Sequence, residues 1–146
     1  MAINIKQSCF IEQTPERVFD VITDFAAYAQ WNPWVISAEG QCVENGQVSV
    51  QAKLGNKIGR YEHKILAIEK AKRFVWCDVG WFTYFVDASR TRLLHAKGEG
   101  TELEVILQVT GFLSPLVSLM YHKALAQGML DEILALKQRA ESYGQG

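Results

Sequence analysis

The chain has 146 residues, 49% of them hydrophobic, 21% charged and 11% aromatic; that length suits one domain over 1–146, and the apolar share excludes disorder. Lys+Arg is 15 and Asp+Glu is 16, a net charge of −1, which excludes a nucleic-acid binder working mainly through phosphates. Three scattered cysteines, Cys9, Cys42 and Cys77, argue against a disulfide framework and fit a reducing compartment.

In chain order, the opening MAINIKQSCF has no basic segment leading an apolar run, so no signal peptide is expected and the expected location is cytoplasmic. No stretch approaches the roughly 18 apolar residues of a membrane span, so stable membrane insertion is not expected. Residues 3–11 alternate, with Ile3, Ile5, Cys9 and Ile11 on one face, which is the period of a half-buried strand. Thr14-Pro15-Glu16 opens a short helix: Thr14 is its cap, Pro15 fills the first turn and Glu16 suits the positive end of the dipole. Val18, Phe19 and Ile22 give it an apolar face. Phe25, Tyr28 and Trp31, three apart, predict a second short helix that stops at Asn32 before Pro33.

From 35 to about 111, turn clusters punctuate β texture. Strands are expected near 36–43, 47–54, 59–68, 73–79, 83–95 (with an interruption allowed) and 101–111, as an antiparallel meander. Pro115, capped by Ser114, starts a helix to about 142. Its stripe is Leu119, His122, Ala126, Met129, Ile133, Leu136 and Ala140, and Gly128 falls on the opposite side of the wheel, where it costs about 1 kcal/mol and invites a bend. The order predicts an α+β fold: about seven curved antiparallel strands around one long C-terminal helix, with two short helices between the first two strands. A straight rod across a curled sheet leaves a cavity.

The segment from Thr14-Pro15-Glu16-Arg17-Val18-Phe19 to Asp24-Phe25, then Tyr28 and Trp31-Asn32-Pro33-Trp34, resembles the START-like (SRPBCC) superfamily. That is the helix-grip fold of the birch pollen allergen and the polyketide cyclase/dehydrase group. Residues 65–76 ending in Trp76, the Gly-Thr turn at 98–103 and Gly111 before the long helix are similar to the same family. The resemblance covers essentially the whole chain. It implies a bound lipid, sterol, polyketide, quinone or hormone, and in some members catalysis. The glycine-rich loop of the allergen branch is represented only by Cys42–Gln47 with one glycine. No family active-site residue carries over.

Several residues suit a binding cavity. His122, central in the stripe, is either a structural histidine bonded to a neighbour or a polar anchor and acid–base group. Tyr61 and His63 share the inward face of their strand with Ile65 and Ala67, while Arg60, Glu62 and Lys64 face solvent. Trp76 and Asp78 share a face, and Arg90 or Arg92 on the next strand is the expected partner of Asp78. Phe82 and Tyr84 lie in an aromatic segment suited to an apolar wall, Leu119 and Met129 come from the helix stripe, and Trp31 and Trp34 plug one end. The alternative for each is ordinary packing. His63, His95 and His122 lie far apart, so no metal is expected, and no phosphate loop or other cofactor motif is present.

Three functions compete. The leading one is enclosure of a small hydrophobic or amphipathic molecule, oriented by His122 and Tyr61. The second is an aromatase/cyclase, which requires at least two polar side chains converging deep in the cavity. The third is a protein-interaction module with a filled interior and an exposed apolar patch. Homodimer formation is left open under all three.

Overall fold

Alternating burial along β1 (Ile3–Ile11) follows the expected apolar face in the computed structural model, which describes residues 3–143. The outermost residues of the expected 1–146 domain lie outside the described residues. Thr14 accepts the amide of Arg17, and Pro15 sits in the first turn of α1 (Pro15–Thr23). Its buried face is Val18, Phe19, Val21 and Ile22. The Phe25–Tyr28–Trp31 triplet is not one helix: a 3-10 turn at Phe25–Ala27 runs into the single turn α2 (Tyr28–Trp31). Asn32 is extended, as the ring of Pro33 requires.

Six more strands follow: β2 (Val35–Gly40), β3 (Gln47–Leu54), β4 (Lys57–Glu69), β5 (Arg73–Asp78), β6 (Asp87–Lys97) and β7 (Gly100–Thr110). Every pairing is antiparallel, and the order is β1-β7-β6-β5-β4-β3-β2. This is the sheet-and-helix arrangement expected from the order of elements, and it is the helix-grip fold that the resemblance implies. The strand expected over 83–95 begins only at Asp87, because Trp81–Tyr84 form a 3-10 turn. There the Thr83 hydroxyl donates to Gly80 O at 2.7 Å, a local bond that competes with ladder pairing.

The closing helix, α3 (Ser114–Ser142), has 29 residues, about 44 Å at 1.5 Å each. Its capping position falls on Leu113 rather than Ser114. The C-terminal half is tied to the first strand and the turn after it. Gln7 donates to Ala126 O at 3.2 Å, Gln13 to Ala140 O at 3.3 Å and Lys137 to Phe10 O at 3.0 Å. The core lies beneath this half, among Ile11, Val18, Phe74, Leu103, Met129 and Ile133.

The N-terminal half departs from the expected stripe. His122 is exposed and Leu119 is 84% exposed. The inward residues there are Val117, Tyr121 and Leu125, which continue in steps of four to Met129 and Ile133. A step of four turns the line about 40° farther around the axis, whereas alternating threes and fours keep it straight. The sheet curls around the helix, so the inward direction winds with it. Gly128 is not on the solvent side either. A Cβ there would stand 2.5 Å from Trp34 Nε1, so the absent side chain admits the indole.

Candidate functional site

The inner face of the sheet, Trp34 and the N-terminal half of α3 enclose a cavity of about 470 Å³. Val35, Leu54, Leu107, Val109, Val117 and Leu125 supply much of its wall. Trp34 closes one part, held by its Nε1–H donating to Lys53 O at 2.9 Å. Trp31 does not join it and packs edge-on to Tyr28, ring centres 5.2 Å apart.

Period 2 along β4 brings Tyr61 and His63 to the wall, as their alternation predicts. The Tyr61 ring folds back over Gly59, where a Cβ would meet the phenol oxygen at 2.6 Å. His63 is opposite Asp78 in the ladder, and Nδ1 stands 3.1 Å from Asp78 Oδ1, without the alignment of a hydrogen bond. The imidazole lies against Trp76 at 4.9 Å between ring centres. Burial, reinforced by Asp78 and then Tyr121, pushes the Tyr61 phenol above its ordinary pKa, so it stays a donor at neutral pH. Burial, Asp87 and Asp78 likewise push the Cys77 thiol up, against a thiolate role.

Asp78 does not pair with Arg90 or Arg92. Those guanidiniums, 4% and 2% exposed, turn to Glu132 of α3, itself 3% exposed. Arg90 Nη1 is 3.3 Å and Arg92 Nη2 3.4 Å from Glu132 Oε1, and Asn32 Nδ2 donates to Oε2 at 2.8 Å. The Arg90 guanidinium also lies 4.6 Å from the Trp34 ring centre and 5.4 Å from that of Trp76. Burial raises the Glu132 pKa, but the charges of Arg90 and Arg92, with the hydrogen bonds from Asn32 and Arg92, outweigh it and hold the carboxyl below its ordinary value. Burial and then repulsion from Arg92 pull Arg90 down to about 10, still charged at neutral pH.

Of the expected site residues, Tyr61, His63, Trp76, Asp78 and Phe82 line the cavity. Arg92 lies behind the wall, against Phe74 and Trp76, and Met129 belongs to the core. His122, Leu119 and Tyr84 lie outside it; Tyr84 is 86% exposed because the 3-10 turn carries Phe82 to the wall and Tyr84 to solvent. Arg90 reaches the wall, whereas the sequence suggests it only as a counter-ion. Tyr121 and Glu132 were missed. The available signal was a carboxylate between Met129 and Ile133, on a face that should be apolar throughout. The filled interior required of an interaction module is not observed, although Trp81, Phe112 and Met120 are among the exposed apolar residues.

A family model described as polyketide cyclase/dehydrase and lipid transport matches residues 2–141. No curated protein matches the sequence. Among solved structures, the Zhui aromatase/cyclase of a Streptomyces species is similar at TM-score 0.81 and 12% identity, over 97% of this chain and 94% of that one. A START superfamily protein from Mycobacterium smegmatis is similar at TM-score 0.78 and 18% identity, over 96% and 98%. Ara h 8.0201 is similar at 0.76 and 17%, over 97% and 99%. At these identities the likeness shows the fold.

Proposed function

The chain belongs to the polyketide cyclase/dehydrase and lipid transport family, and from that premise we propose that it encloses a small apolar or amphipathic molecule between α3 and the sheet. The observation that carries this reading is the cavity itself. Its volume of about 470 Å³ lies in the range of ligand sites, and its wall is apolar with a few polar groups. Apolar burial drives uptake at about 25 cal/mol per Å², before the entropic cost of binding. Tyr61 and Arg90 supply orientation. Gentle purification from the native host followed by native mass spectrometry tests it. A retained mass of a few hundred daltons is expected; an unliganded mass, with no uptake of added lipid or polycyclic aromatic, sinks the reading.

A cyclase reading is favoured by one arrangement: His63, Asp78 and Tyr61 on the same wall, with His63 Nδ1 3.1 Å from Asp78 Oδ1. In this reading His63 takes a proton from a carbon between two carbonyls and Tyr61 donates a hydrogen bond to the enolate oxygen. The carbon attacks a carbonyl of the same folded chain, and His63 returns the proton to the new alkoxide. His63→Ala should then slow cyclisation of a poly-β-ketone substrate about 100-fold, with affinity changed less than about threefold. Equal losses in turnover and affinity, or none in turnover, speak for binding alone.

A further inference from the structure

The inward face of β6 carries two arginines where the alternation of a buried strand calls for apolar residues. Arg90 and Arg92 are both almost fully buried, and they share one carboxylate, Glu132. Part of that carboxylate's accepting capacity is taken by the neutral amide of Asn32. Two guanidiniums against one carboxylate leave this buried cluster with a surplus positive charge. The surplus shows in the hydrogen bonding: Arg90 Nε and Arg92 Nη1 have no partner. The faces of Trp34, Trp76 and Phe74 disperse part of the charge without supplying an acceptor. Asp78, the one carboxylate on the cavity wall among the described residues, stands beside His63 rather than beside either arginine.

A buried cation short of acceptors is costly, and the cost ends when an anion arrives. Arg90 is the member of the cluster that lines the cavity. We propose that the cavity selects an amphipathic monoanion, a carboxylate on an apolar body, whose head group is held by Arg90 with Arg92 behind it. This rests on the reading of the cavity as a ligand site and names the chemical class it takes. Binding moves no proton and breaks no bond. It brings the cluster to two positive and two negative charges and offers an acceptor to the unpartnered Arg90 guanidinium, the one that reaches the wall. The neutral remainder of the ligand fills the apolar volume.

Isothermal titration calorimetry of the whole chain at pH 7.5 tests this with matched probes: decanoate against decanol, and 2-naphthoate against 2-naphthylmethanol. Within each pair the body is constant, so the head group alone is read, and the two pairs separate fatty from aromatic acids. The acid of at least one pair should bind about tenfold or more tighter than its alcohol, the value of a charge-assisted hydrogen bond. Arg90→Gln should remove that preference, bringing the ratio of acid to alcohol affinity within each pair to about one. Glu132→Gln, which removes the competing carboxylate, should strengthen it. The wild-type comparison stands even where a variant fails to fold. Alcohols binding as tightly as acids overturn the anion and leave the cavity reading intact, as does an acid preference that survives in folded Arg90→Gln. No uptake of any of the four probes overturns both.

Discussion

At the scale of single residues, Glu132 carries the most. One carboxylate answers two buried guanidiniums and an amide. Glu132→Gln keeps the shape and leaves both arginines uncompensated, which should cost about 3–5 kcal/mol near neutral pH, the range for breaking a buried pair. The sign with pH follows from the lowered pKa. An acid held below its ordinary 4.5 by its partners contributes stability that is present above that value and lost as pH falls through the folded-state pKa. The gap in urea-unfolding free energy between wild type and Glu132→Gln should therefore narrow below about pH 4.5 and stay constant above pH 6. A gap of the same size at pH 3 and pH 7 would mean that the carboxylate is not ionised in the fold. Gly128 makes a second case. In an exposed helix, Gly→Ala gains about 1 kcal/mol. Here the new methyl would meet the Trp34 indole at 2.5 Å, and overpacking of this kind costs about 1–3 kcal/mol. Gly128→Ala should lower the melting temperature and shift tryptophan emission as Trp34 moves; a rise in melting temperature would show that the indole yields freely.

At the scale of elements, α3 is two structures in one helix. From Ala126 onward it is bonded to β1 and the turn after it, and it buries Met129, Ile133, Leu136 and Ala140. Before that point its inward side faces the cavity, and Leu116, Leu119 and Met120 are open to solvent. Few buried contacts mean a low local opening energy. Amides in the stretch 117–124 should exchange with deuterium at least about tenfold faster than those in 130–140, and a bound ligand should slow the first set more than the second. Uniform protection along α3 would contradict this division. The same division explains which parts of the elements were legible in sequence. Strand faces follow from one buried member as far as the period of two runs unbroken, so Tyr61, His63, Trp76 and Asp78 reach the wall as their alternation requires; the expected Ala67 does not stay inward, because a bulge after Ile65 shifts the register and turns Ile68 to the core instead. A helix face depends on the shape of what it meets. The stripe through Met129, Ile133, Leu136 and Ala140 could be read because that half packs on the core, and the extension to His122 and Leu119 failed because the sheet curves away.

At the scale of the molecule, the antiparallel meander of β2 to β7, the long closing helix and the cavity under it were implied by the order of elements, whereas the pairing of β1 with β7 was not. Which charges meet in the interior was not. Arg90 and Glu132 are 42 positions apart, and nothing local links them; their meeting depends on how β6 and α3 cross, and that is why strand spacing alone points to Asp78 instead. The open interior is a property of the whole fold, and one substitution tests it. Ala88 lies on the cavity wall, opposite Val109 in the β6–β7 ladder. A larger side chain there has two outcomes of opposite sign. If the space is open, Ala88→Leu occupies it with apolar atoms, adds buried area worth about 0.8 kcal/mol per methylene, and excludes the ligand. The melting temperature of the unliganded protein then holds or rises, while affinity for a cavity ligand falls at least tenfold, since function here requires a stability the core has left unclaimed. If the interior is already filled, the same change overpacks it, at a cost of about 1–3 kcal/mol, and the melting temperature falls.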